Sequence, residues 1–76
     1  MVAYPQIVHR RGIITRIIIT WDWATYEVRD PEWDRMYFFR GDPYHLAFKV
    51  LDGIEYDMCF GYQHVINVKR IVLKSE

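Results

Sequence analysis

Apolar positions in this chain fall in short runs, broken by Gly and Pro, and few stretches repeat at helical spacing. The first strong run spans about Gln6 to Trp21. In an extended chain Ile13, Thr15, Ile17 and Ile19 share one side, and Ile14, Arg16, Ile18 and Thr20 the other. β-Branched residues at nearly every position favour a strand. Both sides are partly apolar, which predicts a long, bent first strand serving two sides of one barrel. The bland counterpart is a sheet edge that pairs with another chain.

A second strand is expected over Trp23 to Arg29, with Ala24, Tyr26 and Val28 facing a core and Trp23, Thr25 and Glu27 facing outward. Asp30, Pro31 and Glu32 stop it, because proline cannot donate to a central ladder. A third strand follows from Arg35 to Arg40 and ends at the Gly41-Asp42-Pro43 turn. Residues Tyr44 to Leu51 fit either a short strand or a single helical turn plugging a barrel end. Asp52-Gly53 signals a turn, Ile54 to Phe60 a strand, Gly61 and Tyr62 another turn, and Gln63 to Leu73 a last strand. The expected fold class is therefore all-β: a small, five-stranded Greek-key barrel of the OB type, with an SH3-like barrel as its rival.

Composition narrows this to one core. The 76 residues are 51% hydrophobic and 17% aromatic, unlike a segment that stays disordered. They read as one domain over residues 1–76, with frayed termini at the tail Lys74-Ser75-Glu76. Ten basic and ten acidic residues cancel, which argues against a dominant polyanion binder yet permits a local basic face. The one cysteine, Cys59, reads as a buried apolar filler and fits a reducing compartment. With neither a signal-like start nor a run long enough to span a bilayer, a cytoplasmic location is the expectation.

The order of motifs resembles a cold-shock domain. Gly12-Ile13-Ile14 stands where that family begins its first strand, and Met36-Tyr37-Phe38-Phe39 matches its aromatic-rich third strand. Gly53 with Tyr56 and Met58 is similar to the Gly-led fourth strand. Gly61-x-Gln63-x-Val65-x-Asn67-Val68 resembles the closing segment. The similarity covers roughly residues 12 to 71, with a remodelled middle. A weaker similarity to an S1 domain, also an OB barrel, lies in residues 68–73. Two departures concern the ligand face: Arg16 stands where the family usually exposes a tryptophan, and Thr25 and Glu27 stand where rings stack bases.

The resemblance implies single-stranded RNA or DNA as ligand, since only unstacked bases lie against rings. Tyr37 and Phe39, on one face of the third strand, and Trp23 are the candidate stacking residues, with Met36 and Phe38 inward. Arg16, Arg40, Lys49, Lys69 and Arg70 are candidate phosphate contacts, as is the basic run His9-Arg10-Arg11. The ordinary reading of Tyr37 is a large side chain covering a small core. Trp21 and Trp23, with the acidic loop Asp30, Glu32 and Asp34, form a candidate protein interface. Its plain counterpart is a barrel cap and a solvated loop. Trp33 is expected to pack back over the core.

No catalytic, metal or cofactor site is expected. Nothing in the spacing sets His9, His45 or His64 beside Cys59, and Asp52, Gly53, Glu55 and Asp57 fit a turn better than a calcium loop. The leading expectation is therefore a nucleic-acid binder. The alternative is a small protein-interaction module that regulates or inhibits transcription, translation or nucleic-acid processing machinery. A homodimer through the apolar first strand is a third reading.

Overall fold

The computed structural model describes residues 7–59 and 64–71. They form five strands, β1 (Ile7–Ile19), β2 (Ala24–Asp30), β3 (Arg35–Gly41), β4 (Gly53–Cys59) and β5 (Ile66–Arg70), in one antiparallel sheet of order β3-β2-β1-β4-β5. The all-β expectation holds. Among the described residues there is no helix long and apolar enough to cross a membrane.

β1 is shared along its length. Its first half, Ile7 to Ile13, pairs with β4, and Ile13 to Ile19 pairs with β2. An irregularity between Ile14 and Arg16 leaves Thr15 outside the ladder. One inserted residue moves the following side chains to the other face. Ile14 opposite Val28 and Ile17 opposite Tyr26 therefore both face inward, although they are three apart. This corrects the uniform alternation expected along residues 13–20. At the same point the backbone of Ile14 accepts from Leu51 N–H (2.7 Å) and donates to the carbonyl of Asp52 (3.0 Å), bringing the 42–52 segment against the bulge.

That segment forms neither the strand nor the helical turn expected for residues 44–51; it is an irregular loop with a turn at 50–51. Asp42 and Asp52 organise it, accepting from Tyr44 N–H (2.8 Å) and Lys49 N–H (2.8 Å). Such local side-chain-to-backbone bonds compete with regular structure. The expected 61–62 turn lies outside the described residues.

The core comprises Ile14, Ala24, Tyr26, Val28, Tyr37, Phe39, Ile54, Tyr56, Met58 and Val65, with Val8, Ile17, Phe48 and Val68 packed against it. Tyr26 and Phe39 stack at 4.6 Å between centroids, and Phe48 meets both edge-on at 5.6 and 5.5 Å. Cys59 is not among these residues. It follows buried Met58 on the alternate side of β4, opposite Ile7, and is only partly covered.

Among the described residues one charged side chain is fully buried. Asp30 accepts from Arg10 Nε (2.8 Å) and a terminal nitrogen (3.0 Å), from the backbone N–H of Glu32 (3.0 Å) and Trp33 (3.2 Å), and from Tyr56 Oη (3.4 Å). It ends β2, builds the turn to β3 and ties both to β1. Trp33 lies against Arg10, its ring centroid 3.6 Å from the guanidinium carbon, and stays exposed instead of packing over the core as expected. Asp30 is therefore no part of a solvated acidic loop, and only Glu32 and Asp34 of that trio are exposed.

The two edges of the sheet touch. Phe38 and His64 form a parallel bridge, and Val65 N–H donates to the carbonyl of Phe38 at 3.1 Å.

Candidate nucleic-acid interface

The four-residue turn 31–34 sets Asp30 opposite Arg35, and this register carries through β3. Tyr37 lies opposite Val28 and Phe39 opposite Tyr26, so both share β2's inward face. Tyr37 and Phe39 are buried, at 5% and 8% exposure, while Phe38 and Met36 face outward. The expected stacking pair is thus core, and the expected inward pair lines the surface. The cause is the register imposed by β2, whose own alternation matches the expectation.

Outward rows now define a face across β1, β2 and β3. Arg16, Glu27 and Phe38 form one row, Ile18, Thr25 and Arg40 a second, and Ile13, Arg29 and Met36 a third. Trp23 stands at the end of this face, its ring centroid 4.9 Å from the Arg40 guanidinium carbon. Of the expected residues, the fold brings Trp23, Arg16 and Arg40 together here. Phe38, Met36 and Arg29 belong to the same face and were not expected there. The β2 alternation and a short turn are enough to find them, since cross-strand partners share a face.

Electrostatics on this face are uneven. Glu27 is engaged by Arg16 (3.1 Å) and by the Thr15 hydroxyl (3.2 Å), so the carboxylate expected to repel phosphate is neutralised by its neighbour. Arg29 pairs with Asp34. Arg40 has no carboxylate partner among the described residues, and its donors lie free above Trp23.

The other expected contacts lie apart. Lys69 is exposed on β5, opposite Glu55. Arg70 donates to the carbonyl of Ala47 (2.6 Å), pairs with Asp52 (3.2 Å) and lies over the Phe48 ring, so it braces the 42–52 loop. Arg10 is committed to Asp30. His9 lies between Asp57 (2.7 Å) and Glu55 (3.5 Å) on the outward side of β1 and β4. Its pKa is raised, first by the hydrogen bond it donates to Asp57 and then by that to Glu55. Trp21, at 83% exposure, stands at the tip of the β1–β2 connection, where its carbonyl accepts from Tyr44 Oη at 3.5 Å.

A groove of about 490 Å³ opens beside the contact of the two edges. Tyr26, Phe39, Phe48, Val65 and Val68 give it apolar walls, and Arg40, Asp42, His45, His64 and Asn67 supply polar groups.

No family model matches this chain, and neither a curated protein nor a solved structure matches it.

Proposed function

We propose that this protein binds single-stranded nucleic acid across the outward face of β1, β2 and β3. The observation that carries the reading is Arg40, a guanidinium without a carboxylate partner among the described residues, held over the Trp23 ring. A cation beside an open ring answers both parts of a nucleotide, charge for the phosphate and a flat surface for the base. Phe38 and Met36 extend the apolar surface, flanked by Arg16 and Arg29 in their pairs with Glu27 and Asp34. Single strands are favoured because bases must be unstacked to reach these rings.

The fold supports the same reading. The Phe38–His64 bridge joins β3 to the residues just before β5, and we read this contact as closing the sheet in the order 1-2-3-5-4, which is the order of an OB-like barrel. In that arrangement the face described here is the outer wall of the first three strands.

Titration with short oligonucleotides, read by tryptophan fluorescence, tests the proposal. Binding is expected to weaken as salt rises, because each phosphate contact releases counterions. Arg40→Gln should reduce both affinity and salt dependence. Absence of salt-dependent binding to every short RNA and DNA strand tried would overturn it.

A protein-interaction module is the second reading, favoured by the exposed Trp21 and Tyr44, which meet at one end of the sheet. Exposed aromatic pairs of this kind act as anchors in protein interfaces. A specific partner lost on Trp21→Ala, with oligonucleotide binding absent, would favour it over the first.

A further inference from the structure

We infer that the groove beside the β3–β5 contact is a site for a nucleotide carrying a terminal phosphate, either the end of a bound strand or a free mononucleotide. The inference rests on the nucleic-acid reading for the class of ligand and extends it to a separate place.

The volume of about 490 Å³ falls within the range of small-molecule sites, about 300–1,000 Å³. Its walls are packed rings. Tyr26 and Phe39 stack nearly parallel, at an interplanar angle of 11°, Phe48 closes on both edge-on, and the Arg70 guanidinium carbon lies 5.8 Å from the Phe48 centroid. Tyr26 Oη also accepts from Ala47 N–H at 3.2 Å, which fixes the loop against the ring that lines the groove. The apolar surface that the cleft offers a base comes from partly buried Phe48 and Val68, backed by the buried rings of Tyr26 and Phe39.

The polar lining suits its phosphate. Arg40 has no carboxylate partner, and the His64 side chain is exposed with no hydrogen bond or ion pair among the described residues. His45 turns Nδ1 toward Asp42 at 3.3 Å. Asp42 is the one carboxylate among the described lining residues, and it is already engaged by His45 and by Tyr44 N–H. Among the described lining residues Arg40 is the permanent cation, and the exposed His64 imidazole beside it can donate an N–H to an anion.

A terminal phosphate fits better than an internal one for two reasons. It carries a charge of about −1.5 to −2 at neutral pH, against a single charge on a diester. Furthermore, Val65 N–H bonds to the carbonyl of Phe38 beside the groove, so a continuous strand has no passage between the two edges there. Arg40 belongs both to the groove and to the outward face, which makes it the point where a strand lying on the face would deliver its end.

The test compares oligonucleotides of one sequence with a 5′-phosphate, a 3′-phosphate or hydroxyl ends, together with the free mononucleotide, by backbone amide titration. One phosphorylated end should bind about tenfold tighter than the hydroxyl-ended strand, the effect of one charge-assisted hydrogen bond. Amide shifts should appear at 45–48 and 64–68. His64→Ala, at a residue that borders both the groove and the outward row of Phe38, should remove the preference for the phosphorylated end, read as the ratio of its affinity to that of the hydroxyl-ended strand. A mononucleotide that shifts the same amides by itself identifies the free-ligand source and also supports the site. Equal binding of all three oligonucleotides, without shifts at 64–68, would overturn the groove and leave the outward-face reading standing. Failure of every oligonucleotide and of the mononucleotide would overturn both.

Discussion

Arg10 grips both carboxylate oxygens of Asp30, at 2.8 and 3.0 Å, across a distance of 20 residues in sequence. Removing one partner of a buried pair leaves the other charge unpaired and costs about 3–5 kcal/mol. That is a large part of the 5–15 kcal/mol or so that holds a small domain folded. Asp30→Ala is therefore expected to lower the unfolding free energy in urea by about 3–5 kcal/mol. A loss under about 1 kcal/mol would mean the network is ornamental.

The same carboxyl sets an acid limit. Burial pushes the Asp30 pKa up, but the Arg10 hydrogen bonds and the N–H groups of Trp33 and Glu32 overcome it and hold it below the usual value. A depressed native pKa stabilises the fold above the unfolded value, about 3.9, and the contribution fades as pH falls through the native value. Thermal unfolding from pH 6 down to pH 2 should show a falling midpoint, with a shallower fall in Asp30→Asn. Parallel curves for the two proteins would remove Asp30 from the account.

Gly12 is required for close approach of β1 to its neighbours. A Cβ there would lie 2.7 Å from Val28 Cγ1, 2.8 Å from the Arg29 carbonyl oxygen and 3.2 Å from Tyr56. The carbonyl belongs to the backbone and cannot swing aside. Gly12→Ala should destabilise by about 1–3 kcal/mol, the usual cost of overpacking. Calorimetry would refute this if the variant melted at or above the parent temperature.

His9 should titrate above its ordinary value of 6.5, because Asp57 first and Glu55 second stabilise the imidazolium. A raised native pKa stabilises below the unfolded value and ceases to do so as pH rises through the native one. Asp57 behaves in the opposite sense. Its pKa is depressed first by the Asn67 side chain (3.0 Å) and then by His9, so its contribution is lost toward acid. Imidazole proton shifts should give a midpoint above 6.5 for the parent, and a lower one in Asp57→Asn. An unshifted histidine would show that the contact does not persist in solution.

How much of this was legible depends on what each strand's pattern contains. β2 alternates clearly, and the inward Ala24, Tyr26 and Val28 follow from it directly. β1 places isoleucines on both sides, so nothing in its composition marks Thr15 as the inserted residue. The shift comes from β1 changing partners, a tertiary cause. β3 is apolar at four successive positions, Met36 to Phe39, so periodicity alone cannot orient it. Its orientation was nevertheless within reach, because the register of a hairpin follows from its turn. The burial of Asp30 was not, since its partner Arg10 lies in another strand and its neighbours Glu32 and Asp34 are ordinary surface carboxylates.

The reversal on β3 gives the sharpest test, because adjacent phenylalanines should fail in different ways. Phe39 is packed between Tyr26 and Phe48, so Phe39→Ala opens the core and should cost about 3–5 kcal/mol. Phe38 lies outward in the row with Arg16 and Glu27, and Phe38→Ala should leave the fold intact. If a base stacks on it, its removal should weaken oligonucleotide binding by about 1–3 kcal/mol. Urea unfolding and fluorescence titration of both variants read the two effects separately. The opposite result, a folded Phe39→Ala protein with lost binding beside an unfolded Phe38→Ala protein, would return Tyr37 and Phe39 to the ligand face. Intact binding in a folded Phe38→Ala protein would instead confine the stacking surface to Trp23 and its Arg40 partner, the contact on which the nucleic-acid reading rests.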